Sequence, residues 1–213
     1  MKFLLKLACF ATVLMMQAIA FAQQEASNSE SYGEAEVIAD AVPSEVVQSA
    51  TKAVAALGNE VVLGRYQTAL DRMNPLWKER VSQRMGGMQA LEEQLAKVPA
   101  EMVRQGITML SSRPEGDPIV HQVGPQTGKS GNLVYTKWLV LVPTITKFRL
   151  IREGNPKPIV IESLGYQVAI SPKDQLDWTF IDGAGLKVSD LRGLFVTLPL
   201  NIKLPPVTKR EAR

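Results

Sequence analysis

The stretch Asn132-Leu-Val-Tyr-Thr-Lys-Trp-Leu-Val-Leu-Val142 decides the fold class of this chain. It is almost continuously apolar, which is typical of a strand that is covered on both faces or lies centrally in a sheet. Around it, from Ile107 to Asp182, shorter apolar or alternating segments are separated by turn residues. This pattern predicts an antiparallel sheet made of consecutive hairpins.

The chain before this region has a helical period. From Ser44 to Gly106, apolar residues recur at three- and four-residue spacing, which predicts several amphipathic helices. Ser44 is expected to cap the first helix, Gly58 with Asn59 to end it, and Pro99 to interrupt a later one. Helices followed by strands predict the α+β class, with N-terminal helices packed on a curved, mainly antiparallel sheet.

The first 22 residues have the layout of an export signal. Met1–Lys6 is positively charged, residues 7–22 carry no charge, and the segment ends with small residues at Ala20 and Ala22. This pattern predicts cleavage between Ala22 and Gln23. The mature protein is therefore expected to be exported, periplasmic or extracellular, and to keep no stable membrane anchor.

Signal removal would leave a chain with no thiol and almost balanced charge. Cys9 is the only cysteine, so the mature chain could form no disulfide and no thiolate metal site. It would carry 22 Lys and Arg against 21 Asp and Glu, because Lys2 and Lys6 leave with the signal. Nucleic-acid binding would need clustered cations, so no nucleic-acid partner is expected. The predicted organisation is a signal peptide (1–22), a flexible polar spacer (23–42), one domain (43–206) and a tail (207–213).

Two sequence motifs invite a functional interpretation that their surroundings do not favour. Gly124–Ser130 is similar to a phosphate-binding loop, but its spacing is one residue short and a predicted strand follows instead of a helix. A hairpin loop is the favoured interpretation. His121 is the only histidine and has no acidic neighbour in sequence, so an exposed or edge-strand role is expected. No metal site and no cofactor are predicted.

The order of elements and several short features resemble a known superfamily. The features are Gly64-Arg65-Tyr66, Met73-Asn74-Pro75, Gly86-Gly87, Gly106-Ile107, Ser171–Asp182 with Trp178, and Leu204-Pro205. They resemble the nuclear transport factor 2 superfamily, which includes ketosteroid isomerases and SnoaL-type cyclases, and within it a set of small exported bacterial proteins. The resemblance covers residues 46–206. It implies a cone-shaped roll and a sheet face that can pair two copies as a homodimer, and it assigns no catalytic residue.

Aromatic and acidic residues on the predicted inward faces are the candidate site residues. The aromatic side chains either line a ligand pocket or fill the core, and a domain without disulfides needs them in the core. In the isomerase branch, an acid in the cone acts as the general base and a tyrosine assists. Glu162 is the best acidic candidate, because it is in register with Leu164 and Tyr166. The aromatic candidates are Tyr66, Trp138, Tyr166 and Trp178; the other acids are Asp71 and Asp177, and the tyrosine donors are Tyr66, Tyr135 and Tyr166.

The favoured function is an exported, non-enzymatic domain that binds a small ligand or an envelope protein. The alternative is a pocket enzyme of the isomerase or cyclase type, with a cone carboxylate as general base. A third hypothesis is a self-associating unit that pairs through its sheet. A cone filled by tryptophan and phenylalanine would count against the enzyme.

Overall fold

The computed structural model describes residues 42–129, 131–152 and 155–212. The predicted signal, its cleavage site between Ala22 and Gln23 and the spacer up to residue 41 lie outside the described residues. The predicted α+β class is confirmed, because helices precede a mainly antiparallel sheet. The elements are α1 (Ser44–Val62), α2 (Tyr66–Asp71), α3 (Pro75–Met85), α4 (Met88–Arg104), β1 (Ile107–Pro114), β2 (Ile119–Thr127), β3 (Leu133–Arg152), β4 (Asn155–Pro172), β5 (Thr179–Asp182), α5 (Val188–Leu194) and β6 (Thr208–Glu211).

A long hairpin of β3 and β4 forms the centre of the sheet. The two strands pair from Lys137 with Pro172 to Leu150 with Ile159. Each long strand has two shorter neighbours in succession along its outer side: β2 and β1 pair with β3, and β5 and β6 pair with β4. The sheet is therefore built around one long hairpin of consecutive strands, with shorter strands on both sides.

Both faces of the middle of this hairpin are buried. Successive side chains of a strand point to opposite faces. Val140 and Val142 pack with α1, whereas Leu139 and Leu141 pack in a second core on the other face. The predicted covering of both faces is thus confirmed for this part of the stretch, but it is wrong for its beginning, since Leu133 is exposed.

The two cores fasten different helices to the sheet. The first core joins the apolar face of α1 to aromatic residues of β3 and β5 and the segment before β5. The second core joins α3, α4, α5 and the segment after α5 to the other face. The first core includes Val46, Ala50, Val54, Trp138, Trp178 and Phe180, and the second includes Trp77, Leu91, Tyr166, Leu191, Phe195 and Leu198.

Three expected helix signals prove wrong in detail, and tertiary packing explains two of them. Helix α1 continues through Gly58, where the missing side chain lets α1 approach β1: a Cβ there would lie 2.6 Å from the carbonyl oxygen of Ser112. Helix α4 continues through Pro99, because buried Leu91 and Val98 hold it to the domain. Ser44 makes no side-chain cap and is the first residue of α1.

Each outer strand of the sheet is irregular, short and charged, or already paired along its outer side. Strand β1 has an irregularity between Met109 and Ser111, and β2 contains Gly124 at a φ of 69° followed by Pro125. Strand β6 is short and charged. The outer side of β5 is occupied at Phe180, which exchanges backbone hydrogen bonds with the segment before α3.

Candidate functional site

The four predicted pocket residues are divided between the two cores and a short helix. Trp138 and Trp178 lie together in the core under α1, and Tyr166 lies in the core on the opposite face. Tyr66 begins α2, where partial burial raises the pKa of its phenol. The structure therefore brings the two tryptophans together but does not place all four side chains around one common pocket.

The two tryptophans are held as core residues. The Trp178 indole donates a hydrogen bond from Nε1 to Oγ of Ser49 in α1 at 2.9 Å. The Lys173 ammonium lies 4.3 Å from the centroid of the Trp138 ring, and its Nζ also donates to Oε1 of Gln122. A cation at this distance over an indole is attracted by the ring face. These contacts fix both rings against neighbouring elements.

Glu162 is a paired carboxylate between two cations. Lys147, its cross-strand partner on β3, places Nζ 2.7 Å from Oε1, and Arg210 on β6 places a nitrogen 2.9 Å from Oε2. Hydrogen bonds from Lys147 and Arg210 lower the pKa of Glu162 below its usual range. Glu162 is therefore ionised at neutral pH with both oxygens bound, an arrangement that links three strands.

The other two acidic candidates lie at the surface. Asp71 accepts a hydrogen bond from Gln67 at 2.8 Å within α2, and Asp177 forms an ion pair with Arg72. Both carboxylates are exposed to solvent. Exposed pairs of this kind contribute little to stability.

A buried carboxyl that the sequence did not single out lies where β4 changes partners. Along its outer side, β4 pairs with β6 up to Leu164 and with β5 from Gln167 onward. Asp182 ends β5 beside this gap, and its Oδ1 accepts a hydrogen bond from the backbone N–H of Ala184 at 2.8 Å. The residue is partly exposed, but burial of its carboxyl raises the pKa of Asp182.

Tyr166 is the electrostatic neighbour of Asp182. Burial, and secondarily the negative charge of Asp182, raise the pKa of Tyr166 to about 12. The ring lies directly over Gly183, where a Cβ would come within 2.6 Å of the ring carbons. The neutral phenol of Tyr166 and the Asp182 carboxyl thus influence each other electrostatically, although the alternation of β5 places the Asp182 side chain on the same face as Phe180 and Tyr166 lies in the core on the opposite face.

The alternation of β5 could have revealed Asp182 in the sequence. Asp182 lies two residues after Phe180, so a strand that continues to this point places both side chains on the same face. The pair Asp182-Gly183 instead indicated a turn. The strand does end there, but Asp182 is its last residue and the carboxyl is buried.

Asp182→Asn is expected to increase the free energy of unfolding near neutral pH. The folded-state pKa of Asp182 is raised, so the native protein binds this proton more tightly than the unfolded chain does. The contribution of Asp182 to the free energy of unfolding is complete below the pKa that this carboxyl has in the unfolded chain. It is lost as the pH rises through the pKa of the carboxyl in the folded protein. Urea titrations at several pH values should therefore show a gain for the variant that disappears in acid.

Glu162→Gln provides the control of opposite sign. Because the pKa of Glu162 is lowered, its contribution is present above the unfolded pKa and is lost as the pH falls through the folded-state pKa. This variant should be less stable than the native chain near neutral pH and equal to it in acid. Equal pH profiles for the two variants would contradict the assignment of Asp182.

His121 lies on β2 opposite Leu139. Its Nε2 is buried and has no hydrogen-bond partner among the described residues, and burial lowers the pKa of the imidazole. The ring is therefore neutral at pH 7. The motif that begins at Gly124 continues β2, and β3 follows it, so it has the hairpin context that was predicted.

Neither a search of the described residues for metal-binding groups and membrane-spanning helices nor comparison with known proteins assigns a function to these residues. Within the part of the chain that the structure describes, no group of three or more His, Cys, Asp or Glu side chains could hold a metal ion. None of the described helices combines the length and apolar character needed to cross a membrane. No family model, curated protein or solved structure matches the chain.

Proposed function

We propose that this chain is an exported, non-enzymatic binding domain of the nuclear transport factor 2 type that holds another protein of the cell envelope. The order of helices and antiparallel strands supports the superfamily. The packing of Trp138 and Trp178 into a core with α1 supports a binding role that does not use them as a ligand pocket.

The observation that carries the proposal is a strand pair with exposed apolar residues on both faces. We name Pro125–Thr127 and Leu133–Tyr135 the β2–β3 arm. Leu133, opposite Thr127, is 61% exposed, and Val134, opposite Gln126, is 49% exposed. Consecutive strand residues point to opposite faces, so the helices cover neither face here. Farther along the same strands, Val123 and Leu139 are completely buried.

The arm suits a protein partner with an apolar cleft. Exposed apolar patches on soluble proteins commonly mark interaction sites. A flat surface could cover only one of the two faces, whereas a cleft encloses both Leu133 and Val134. The rest of the hairpin is fixed by the two cores, so the arm would be presented without a large ordering cost.

A photo-crosslinking residue at position 133 is expected to trap one protein in the cell envelope. The matched control is the same residue at Leu63, which is 64% exposed but lies after α1, away from the arm. The trapped protein, once purified, should bind the native chain. The double variant Leu133→Lys with Val134→Lys should raise the dissociation constant of this complex about tenfold or more. Leu63→Lys should leave binding unchanged.

Three outcomes would contradict this proposal. They are the absence of an adduct at position 133, the same adduct at position 63, and an adduct with the mass of two copies of this chain. The last would establish the homodimer hypothesis instead. Both positions are exposed, so a thermal unfolding measurement should confirm that each lysine variant remains folded.

The pocket-enzyme alternative rests on Asp182. Burial of its carboxyl, which raises the pKa, makes Asp182 a better candidate for acid–base chemistry than Glu162, whose two oxygens are paired with cations. This alternative requires that a small molecule reaches the carboxyl. Modification of Asp182 by a water-soluble carbodiimide in the folded protein would support it, and full protection would count against it.

A further inference from the structure

The segment that follows α5 presents apolar side chains to solvent from an anchored backbone. We name Arg192–Lys203, which comprises the last turn of α5 and the segment after it, the 192–203 loop. Phe195, Leu198 and Ile202 are buried in the second core and fix the loop to the domain. Between these anchors, Val196 is 73% exposed and Leu200 is 78% exposed. Their positions are therefore set by the fold although neither side chain is covered.

Cations flank the two exposed apolar residues. Arg192 donates a hydrogen bond from Nε to the carbonyl oxygen of Leu198 at 3.1 Å, which holds its guanidinium at the loop. Lys203 is exposed at the other end. From residue 191 to residue 208 these two cations are the only charged residues of the chain, and the segment contains no Asp or Glu.

The nearest carboxylate in sequence does not cancel this charge at the loop. Asp190 accepts hydrogen bonds from Arg84 of α3 at 3.3 Å and from the backbone N–H of Lys187 at 3.2 Å. Arg80 of the same helix donates to the backbone carbonyl of Asp190 at 3.2 Å. The fold thus adds two arginines that are distant in sequence near the start of α5, and the Asp190 carboxylate pairs with one of them, Arg84.

We propose that the 192–203 loop is a docking surface for an anionic phospholipid bilayer. Val196 and Leu200 enter the boundary between headgroups and acyl chains, and Arg192 and Lys203 contact the phosphates. Affinity of a peripheral protein for such a surface grows with the apolar area inserted and with the number of nearby cations. Charge complementarity selects an anionic over a neutral bilayer. The proposal uses none of the residues of the β2–β3 arm and stands independently of the protein partner.

Vesicle sedimentation with the purified chain beginning at Gln23 tests the proposal. We expect binding to phosphatidylcholine vesicles that contain phosphatidylglycerol, weak binding to phosphatidylcholine alone, and release from the anionic vesicles at high salt. Val196→Ser with Leu200→Ser should weaken binding at least about tenfold. Arg192→Gln with Lys203→Gln should weaken it about fivefold for each charge removed.

Matched variants on other surfaces are the controls. Val103 at the end of α4 is as exposed as Leu200, and Lys52 and Lys97 are exposed on α1 and α4. Val103→Ser, and Lys52→Gln with Lys97→Gln, should leave binding unchanged. Three results would overturn the proposal. They are equal binding to neutral and anionic vesicles, a loss of vesicle binding in the control variants as large as in the loop variants, and displacement from the vesicles by soluble glycerol phosphate at low concentration. Thermal unfolding of each variant separates loss of binding from loss of folding.

Discussion

Trp178→Ala is expected to lower the free energy of unfolding by about 3–5 kcal/mol. The side chain is only 4% exposed and packs in the core that joins α1 to the sheet. Its removal leaves a large cavity and also removes the hydrogen bond that the indole donates to Ser49. Urea denaturation followed by circular dichroism would measure the change.

Two further variants separate packing from hydrogen bonding at this site. Trp178→Phe keeps most of the apolar volume and should cost less than the alanine variant. Ser49→Ala removes only the acceptor and should cost about 1–3 kcal/mol, since the indole N–H is then left unpaired. A change below about 1 kcal/mol in Trp178→Ala would indicate an open pocket rather than a core and would revive the small-ligand hypothesis.

Gly58→Ala is expected to lower the free energy of unfolding by about 1–3 kcal/mol. Alanine is intrinsically better than glycine in a helix by about 1 kcal/mol, so propensity alone predicts the opposite sign. At this position the new Cβ would lie 2.6 Å from the carbonyl oxygen of Ser112, which belongs to the backbone of β1 and cannot rotate away. Helix α1 must then move away from the sheet.

Ala56→Gly is the matched control for Gly58→Ala. Ala56 is exposed in the same helix two residues earlier, so glycine there should cost about 1 kcal/mol through propensity alone. Glycine is thus expected to destabilise one position of α1 and to be required at another. A stabilising Gly58→Ala would mean that α1 does not lie against β1 at this distance.

The sequence predicts the parts of the fold that depend on local periodicity. The apolar stretch that ends at Val142 indicates a strand buried on both faces, and the alternation of Trp178 and Phe180 indicates that they share a core. The ends of helices are less predictable. Gly58 and Pro99 are helix breakers by local preference, yet α1 and α4 continue through them because contacts with other elements outweigh that preference.

The candidate sites depend on contacts that no local pattern contains. Asp182 lies where β4 changes its partner from β6 to β5, and β6 lies far away in sequence. Leu133 and Val134 resemble the rest of their strand in sequence, and only the position of the helices makes them exposed. The contacts of Asp190 in α5 with Arg80 and Arg84 of α3 likewise join residues that are distant in sequence.

The interrupted outer strands also limit how any partner can recognise this protein. Adding a strand to a sheet requires a regular row of free backbone N–H and C=O groups. The irregularity in β1, Gly124 with Pro125 in β2 and the charged side chains of β6 disturb such rows, and Phe180 of β5 is already paired. A partner that binds by adding a strand to this sheet is therefore disfavoured, and contacts through side chains are the expected alternative. By the same reasoning, copies of this chain are expected to resist edge-to-edge association in concentrated solution.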